Sequence, residues 1–445
     1  MGWRDTGSLR AGLGTQFVVT GDDTVLIATP EGSEAEVPLL DLREFLVHLE
    51  WPLVGDNPFG VAYEQLHHDA ARMKRRIEWE RERAPGQLAE LLARPESDRE
   101  GAVADFRTPT FSLAELALQR SLELVHSDPE RACELGRLGR MISDRLPEDV
   151  YGRERVADLR GYAWAVYGNA LRVAGALRQS AEAFAQAHRW LEQGSGQSVE
   201  AIQVLEHEVS LRRDTEDFAG ALTKCSELIS IFEAAGRMQD MARAMVKHAT
   251  IHELMGETEQ AVKILERAEY LVSSADDPWL RLCTRHSLIF GLARIDRVGE
   301  AAELLQASWG LYEQFARPPV LARRHWAQGL IALGRGAAGE AAEQLAEARK
   351  IFAQHGYLID TALVTLELAV ALAERFRWDR VEELARETLA LLEGQPVHRE
   401  ALAAVRMLGE AGARRRLNRE LGRQLLQRVL RVAEQKPVQP TPTAL

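Results

Sequence analysis

Small and apolar residues return along this chain with a fixed long period. Turn-like segments Asp217-Phe218-Ala219-Gly220-Ala221, Glu257-Thr258-Glu259-Gln260-Ala261, Arg297-Val298-Gly299-Glu300-Ala301 and Ala337-Ala338-Gly339-Glu340-Ala341 place an alanine at 221, 261, 301 and 341, a spacing of 40. Val381 and Leu421 continue the register, Ser180 precedes it, and Ala132 marks a divergent copy. Inside one period, Ala261, Ile264, Leu265, Ala268 and Leu271 form an apolar stripe at helical spacing. Ala244, Met245, His248, Ala249 and His252 form another, and Gly256 stands between them where a helix must stop and reverse. Pro278 and Pro318-Pro319 suit the first turn of the next helix, where a missing N–H costs nothing. Each period therefore predicts two helices of about 15–17 residues. Such a pair cannot bury its apolar faces alone, so about seven pairs must stack into one core. Small residues such as Gly168 and Gly329 let paired helices approach closely.

The ends break this pattern. Residues 1–60 predict a small α+β segment: strands over Gln16–Thr20 and Thr24–Thr29 flank the hairpin signature Gly21-Asp22-Asp23, a third strand lies near Ala35–Leu39, and a helix covers Leu42–Trp51. Residues 61–111 predict a helical connector, broken at Pro85-Gly86, and a polar linker from residue 95. The repeats occupy 112–433, and residues 434–445 have the composition of a disordered tail.

The run Trp164-Ala165-Val166-Tyr167-Gly168-Asn169-Ala170-Leu171, followed by Gly175, Ala183, Phe184 and Ala187, resembles the tetratricopeptide repeat (TPR) family, with Ser180 in place of the usual alanine. Gly329-Leu330-Ile331-Ala332 with Gly336, Ala341 and Ala348 is a second copy. The period is longer than that family's usual one and resembles the versions in signalling and regulatory members. The resemblance implies an all-α, right-handed superhelical solenoid and a role in binding proteins or peptides.

Composition narrows the function. The 445 residues carry a net charge of −12, which excludes a strongly basic nucleic-acid coat. Only six of the 55 basic residues are lysines, so arginine supplies the bidentate carboxylate binders. Three scattered cysteines, no secretory h-region and no membrane-length apolar run point to a cytoplasmic chain.

Candidate chemistry is sparse. Gly334-Arg335-Gly336-Ala337-Ala338-Gly339 matches a dinucleotide fingerprint in letters, but a helix precedes it and no strand does. His248 and His252 have metal-ligand spacing, yet both lie on a packing stripe. No hydrolase, kinase or nucleotide-binding motif is present, so no enzyme, cofactor or metal is expected. Between Gly412 and Arg431 the chain holds Arg414, Arg415, Arg416, Arg419, Arg423, Arg428 and Arg431 against Glu420, along an apolar stripe of Leu417, Leu421, Leu425 and Val429. This predicts a helix capping the array, or alternatively a contact for phosphate or an acidic partner.

In the TPR family the first helices line a concave groove. By register, the resemblance implies ligand contacts at Tyr162, Asn169 and Arg172, then at Glu206 and Arg213, then at Arg243. His286, Phe290 and Arg294 follow, with Arg323 and Trp326 last. Ala165 stands where the family's carboxylate clamp has a lysine, so that clamp is absent. The five arginines and two aromatics predict a groove for a peptide bearing acidic groups or a carboxylate. The expected role is a non-enzymatic scaffold or adaptor in regulation. Alternatives are a transcription-linked regulator touching nucleic acid through its N-terminal module or Arg414–Arg431, and a TPR-linked hydrolase or phosphatase. The opposing possibility for the arginines is pairing with neighbouring acids such as Glu206 and Glu253.

Overall fold

The computed structural model describes residues 9–10, 16–19, 24–28, 34–38, 58–105, 109–196, 199–272, 277–393 and 399–433. The chain forms two compact units, residues 1–117 with 141–153 and residues 118–140 with 154–445.

The first unit opens with an antiparallel sheet of β1 (Leu9–Arg10), β2 (Gln16–Val19), β3 (Thr24–Ala28) and β4 (Glu34–Pro38), in that order. Val19 pairs with Val25 and Phe17 with Ile27, the register of a hairpin. The helix expected over residues 42–51 lies outside the described residues. Helix α1 (Pro58–Leu92) runs through Pro85, where the sequence predicted a break. Ile77, Ala84, Leu88 and Leu91 keep one face of it buried across the proline. The polar stretch read as a linker from residue 95 is corrected by α2 (Glu96–Ala104). Pro95 precedes it, and Glu96 and Asp98 lie in its first turn, where carboxylates oppose the helix dipole. Glu80, 1% exposed, accepts from Tyr151 Oη at 2.7 Å and from Arg76 Nε at 3.0 Å. Burial and that contact push the Tyr151 hydroxyl up to about 12.

The chain continues through α3 (Phe111–Leu124), α4 (Pro129–Asp144) and α5 (Glu148–Tyr151). Among the described residues, seven helical pairs then follow. They are α6 (Arg153–Val173) with α7 (Leu177–Leu191), α8 (Val199–Asp214) with α9 (Phe218–Ala234), and α10 (Met238–Met255) with α11 (Thr258–Leu271). Next come α12 (Pro278–Arg294) with the split helices α13 (Val298–Ala307) and α14 (Trp309–Gln314), and α15 (Pro318–Gly334) with α16 (Ala338–Gln354). The last are α17 (Leu358–Glu374) with α18 (Trp378–Leu392), and α19 (Arg399–Ala413) with α20 (Arg419–Ala433). This is an all-α solenoid of helical hairpins. No helix among the described residues is long and apolar enough to cross a membrane.

The turn inside each pair explains the period. One residue there adopts a left-handed conformation: Gly175, Glu216, Gly256, Asp296, Gly336, Phe376 and Arg415. The next amide closes the turn on the preceding helix, as in Glu257 N to His252 O at 2.8 Å. Gly336 of the fingerprint-like run is thus a helix-ending turn residue with φ 76°. The close approaches expected of Gly168 and Gly329 are present. A Cβ at Gly168 would meet Phe184 at 3.1 Å and Ala183 at 3.2 Å, and one at Gly329 would meet Leu345 Cγ at 2.6 Å.

Candidate functional site

The first helices of successive pairs carry the residues that the register singled out, and each arginine there meets a carboxylate. Arg172 Nη1 lies 2.5 Å from Asp214 Oδ2, and Asn169 Oδ1 accepts from Arg172 Nε at 3.1 Å. Arg213 pairs with the other Asp214 oxygen at 2.9 Å. Arg243 reaches Asp240 at 2.7 Å and Asp277 at 2.5 Å. Arg294 lies 4.0 Å from Glu253 and 3.6 Å from Glu367, and Arg323 lies 3.9 Å from Asp360. Glu206 takes Lys247 at 3.6 Å, and Tyr162 is half-buried on α6. Several of these pairs join one repeat to the next, so the arginines tie the stack together.

His286, Phe290 and Trp326 come together in a buried aromatic row. His286 stacks on Phe290 at 4.3 Å between centroids, and Phe290 meets Trp326 edge-on at 4.9 Å. His286 Nδ1 is 2.8 Å from Tyr312 Oη. Burial, with Arg323 and Arg294 nearby, pushes the His286 imidazole far below its usual range, so it is neutral. Phe290 and Trp326 are 6% and 5% exposed, which makes them floor rather than surface anchors.

Beneath this row Trp326 Nε1 donates to Glu367, a residue the register did not single out. Burial pushes the Glu367 carboxyl up, while the Arg294 charge and the Trp326 hydrogen bond pull it down. Its signal in the sequence is being the one charged residue between Ala362 and Ala373 of α17.

A cavity of about 1230 Å³ opens beside Glu367. Leu330 and Leu333 of α15, with Leu366 and Val370 of α17, supply apolar walls. Arg294, Glu257 and Lys263 supply polar ones. The remaining wall is α20, through Arg419, Gly422, Arg423, Leu426, Gln427 and their neighbours.

This placement gives the Arg-rich segment, read as a helix capping the array, a second contact. Every earlier second helix packs on the first helix that follows it, whereas α20 packs on α17, the first helix of the preceding pair, as well as on α19. It also reaches α10, where Gln427 Nε2 donates to Glu253 O at 3.4 Å. Arg414, Arg415 and Arg416 are exposed in the turn before it.

The other candidates are structural. His248 and His252 pack edge to face at 5.0 Å, and His252 Nδ1 bonds Glu257 at 2.7 Å. Among the described residues no three His, Cys, Asp or Glu converge as metal ligands. Burial pushes the Cys225 and Cys283 thiols up to about 12 and about 11, and raises Cys133, so all three are protonated at neutral pH and poor nucleophiles.

No family model and no curated protein matches this chain. Solved structures do. A Rap protein complexed with competence and sporulation factor is 13% identical, with a TM-score of 0.49 over 70% of this chain and 85% of that one. The apo form of RapI is 12% identical, with a TM-score of 0.49 over 70% and 85%. Aspartyl phosphate phosphatase F from Bacillus subtilis is 11% identical, with a TM-score of 0.44 over 78% and 93%.

Proposed function

We propose that this chain is a regulatory adaptor that binds a peptide segment of another protein and performs no chemistry of its own. The cavity between the first helices and α20 carries this reading. Its roughly 1230 Å³ exceeds the ~300–1,000 Å³ usual for small-molecule sites, and its walls mix leucines with charged groups. A peptide presents that mixture, with apolar side chains between polar backbone groups. The high thiol values argue against covalent catalysis by cysteine. The adaptor's ligand enters a groove whose arginines already hold carboxylates, so an incoming acidic group would compete with Asp214, Asp277, Glu367 or Asp360.

The test is affinity capture with wild-type chain and a Leu333→Arg variant, which puts a long charged side chain into the cavity. Thermal unfolding verifies that the variant folds. A protein recovered by the first and lost by the second supports the reading. Identical recovery by both overturns it.

A further inference from the structure

The seating of α20 deepens the peptide-binding reading and rests on it. Three features describe that seat. Leu425, Leu426 and Val429 are buried, and Gly422 lies so close to α17 that a Cβ there would meet Val370 Cγ2 at 2.4 Å. Arg419 binds Glu374 at 2.5 Å and donates to Leu333 O at 2.9 Å. The helix carries four arginines and one glutamate, and the carboxylates of Glu253, Glu367 and Glu374 lie on the helices beneath it. An amphipathic basic helix therefore rests on an apolar floor with acidic edges.

The fit is incomplete. Gln427 Oε1, on α20, is buried without a hydrogen-bond partner, and so is Arg294 Nε, which lines the same cavity. Buried polar atoms left unpaired weaken an association, so the seat is held less firmly than its apolar contacts alone imply. Among the described residues no first helix follows α20, and it packs on the first helix of the preceding pair instead. It takes the first-helix face, where a ligand would lie.

We propose that α20 is a built-in occupant of the groove, displaced by a partner that carries an amphipathic helix with the same apolar stripe and flanking arginines. The intramolecular helix lowers the apparent affinity for the partner by the fraction of molecules in which the seat is open. A partner helix binds once α20 lifts.

The test uses the full chain and a labelled synthetic peptide with the sequence of residues 417–433. A Gly422→Leu substitution in the full chain adds bulk where Val370 sits and unseats α20 while preserving its helical tendency. The variant is expected to bind the peptide at least about tenfold more tightly than wild type, and hydrogen exchange in residues 419–433 is expected to accelerate. A peptide carrying the same Gly→Leu change is expected not to bind. Equal peptide binding by wild type and variant, unchanged exchange in α20, or equal binding by a peptide with its arginines replaced by glutamates each overturns the proposal. Failure here with partner loss still seen for Leu333→Arg would refute the displaceable helix and leave the cavity reading standing.

Discussion

Arg419, the first residue of the last helix, donates to the backbone oxygen of Leu333, 86 residues upstream, at 2.9 Å. Leu333 is in the last turn of α15, where carbonyls have no partner within the helix. Leu333 O already accepts from Gly336 N at 3.0 Å, so the guanidinium adds a second donor to that carbonyl while its Nε holds Glu374 at 2.5 Å. Both side chains are partly exposed, so the contact contributes about 1 kcal/mol. Arg419→Ala is expected to raise hydrogen exchange in α20 by roughly fivefold and leave α15 and α16 unchanged. Unaltered exchange in α20 would show that the helix is held by its apolar face alone.

The left-handed turn residues yield a prediction of opposite signs. Phe376 has φ 57° and is 80% exposed, so its ring contributes little to the core while its Cβ strains the backbone. Phe376→Gly is expected to raise stability by about 0.5–1 kcal/mol, the relief of strain less the greater freedom of unfolded glycine. Gly256→Ala, at φ 84°, is expected to lower it by about 1 kcal/mol. Urea midpoints of the two variants check both.

Glycines inside helices divide the same way. Gly329 lets α15 lie against Leu345, and its Cβ would also stand 3.3 Å from the Leu345 backbone nitrogen, which cannot swing aside. Gly329→Ala should therefore cost about 1–3 kcal/mol. Gly299 in α13 has nothing within 4 Å of its would-be Cβ, so Gly299→Ala should gain up to about 1 kcal/mol from helix propensity. Two melting curves suffice, and a shared sign would sink the packing argument.

These turns and contacts also explain what the chain made legible beforehand. Period, pairing and close approach are local properties, so Ala261, Gly256 and Gly329 announce them directly. Glycine marks only three of the seven left-handed turns, yet spacing alone locates Glu216 and Phe376 as their equivalents. The arginines were legible as residues but not as bonds. Whether Arg294 points to a ligand or to Glu367 depends on two repeats curling until residues 73 apart meet, which no local pattern encodes. The seat of α20 was hidden for the same reason. Its stripe of Leu421, Leu425 and Val429 demands an apolar neighbour, and either layer of helices could provide one. Pro85 misled because the buried face of α1 outweighs one lost backbone bond.

Buried histidines set the response to mild acid. Burial pushes His207 down to about 3 and His248 down to about 4, with Lys247 and Arg172 adding to the first and His252 to the second. Both are neutral in the folded chain, while the unfolded chain takes up their protons below pH 6.5. Stability is therefore full above that pH and falls as pH drops toward the folded values, by up to about 1.4 kcal/mol per unit for His207 and by less for the half-buried His248, which solvent screens. A His207→Gln, His248→Gln variant is expected to show a shallower slope than wild type between pH 7 and 5 in urea titrations. Parallel slopes would mean that neither ring is held neutral.

Glu208 governs stronger acid. Its Oε1 accepts from Arg212 Nη2 at 2.7 Å, and its Oε2 lies 2.9 Å from His188 Nε2, joining α8 to α7. Burial pushes its carboxyl up, but the hydrogen bonds from His188 and Arg212 outweigh that and hold it at about 2. The unfolded carboxyl keeps its ordinary value near 4.5. Wild type thus holds the whole contribution above pH 4.5 and loses it as pH falls toward 2. Glu208→Gln keeps the shape and removes the charge. It is expected to cost about 1–2 kcal/mol at pH 7, and the gap to wild type should narrow steadily below pH 4.5. A gap that stays constant from pH 7 to 3 would assign the loss to altered packing instead of to the ionised carboxylate between His188 and Arg212.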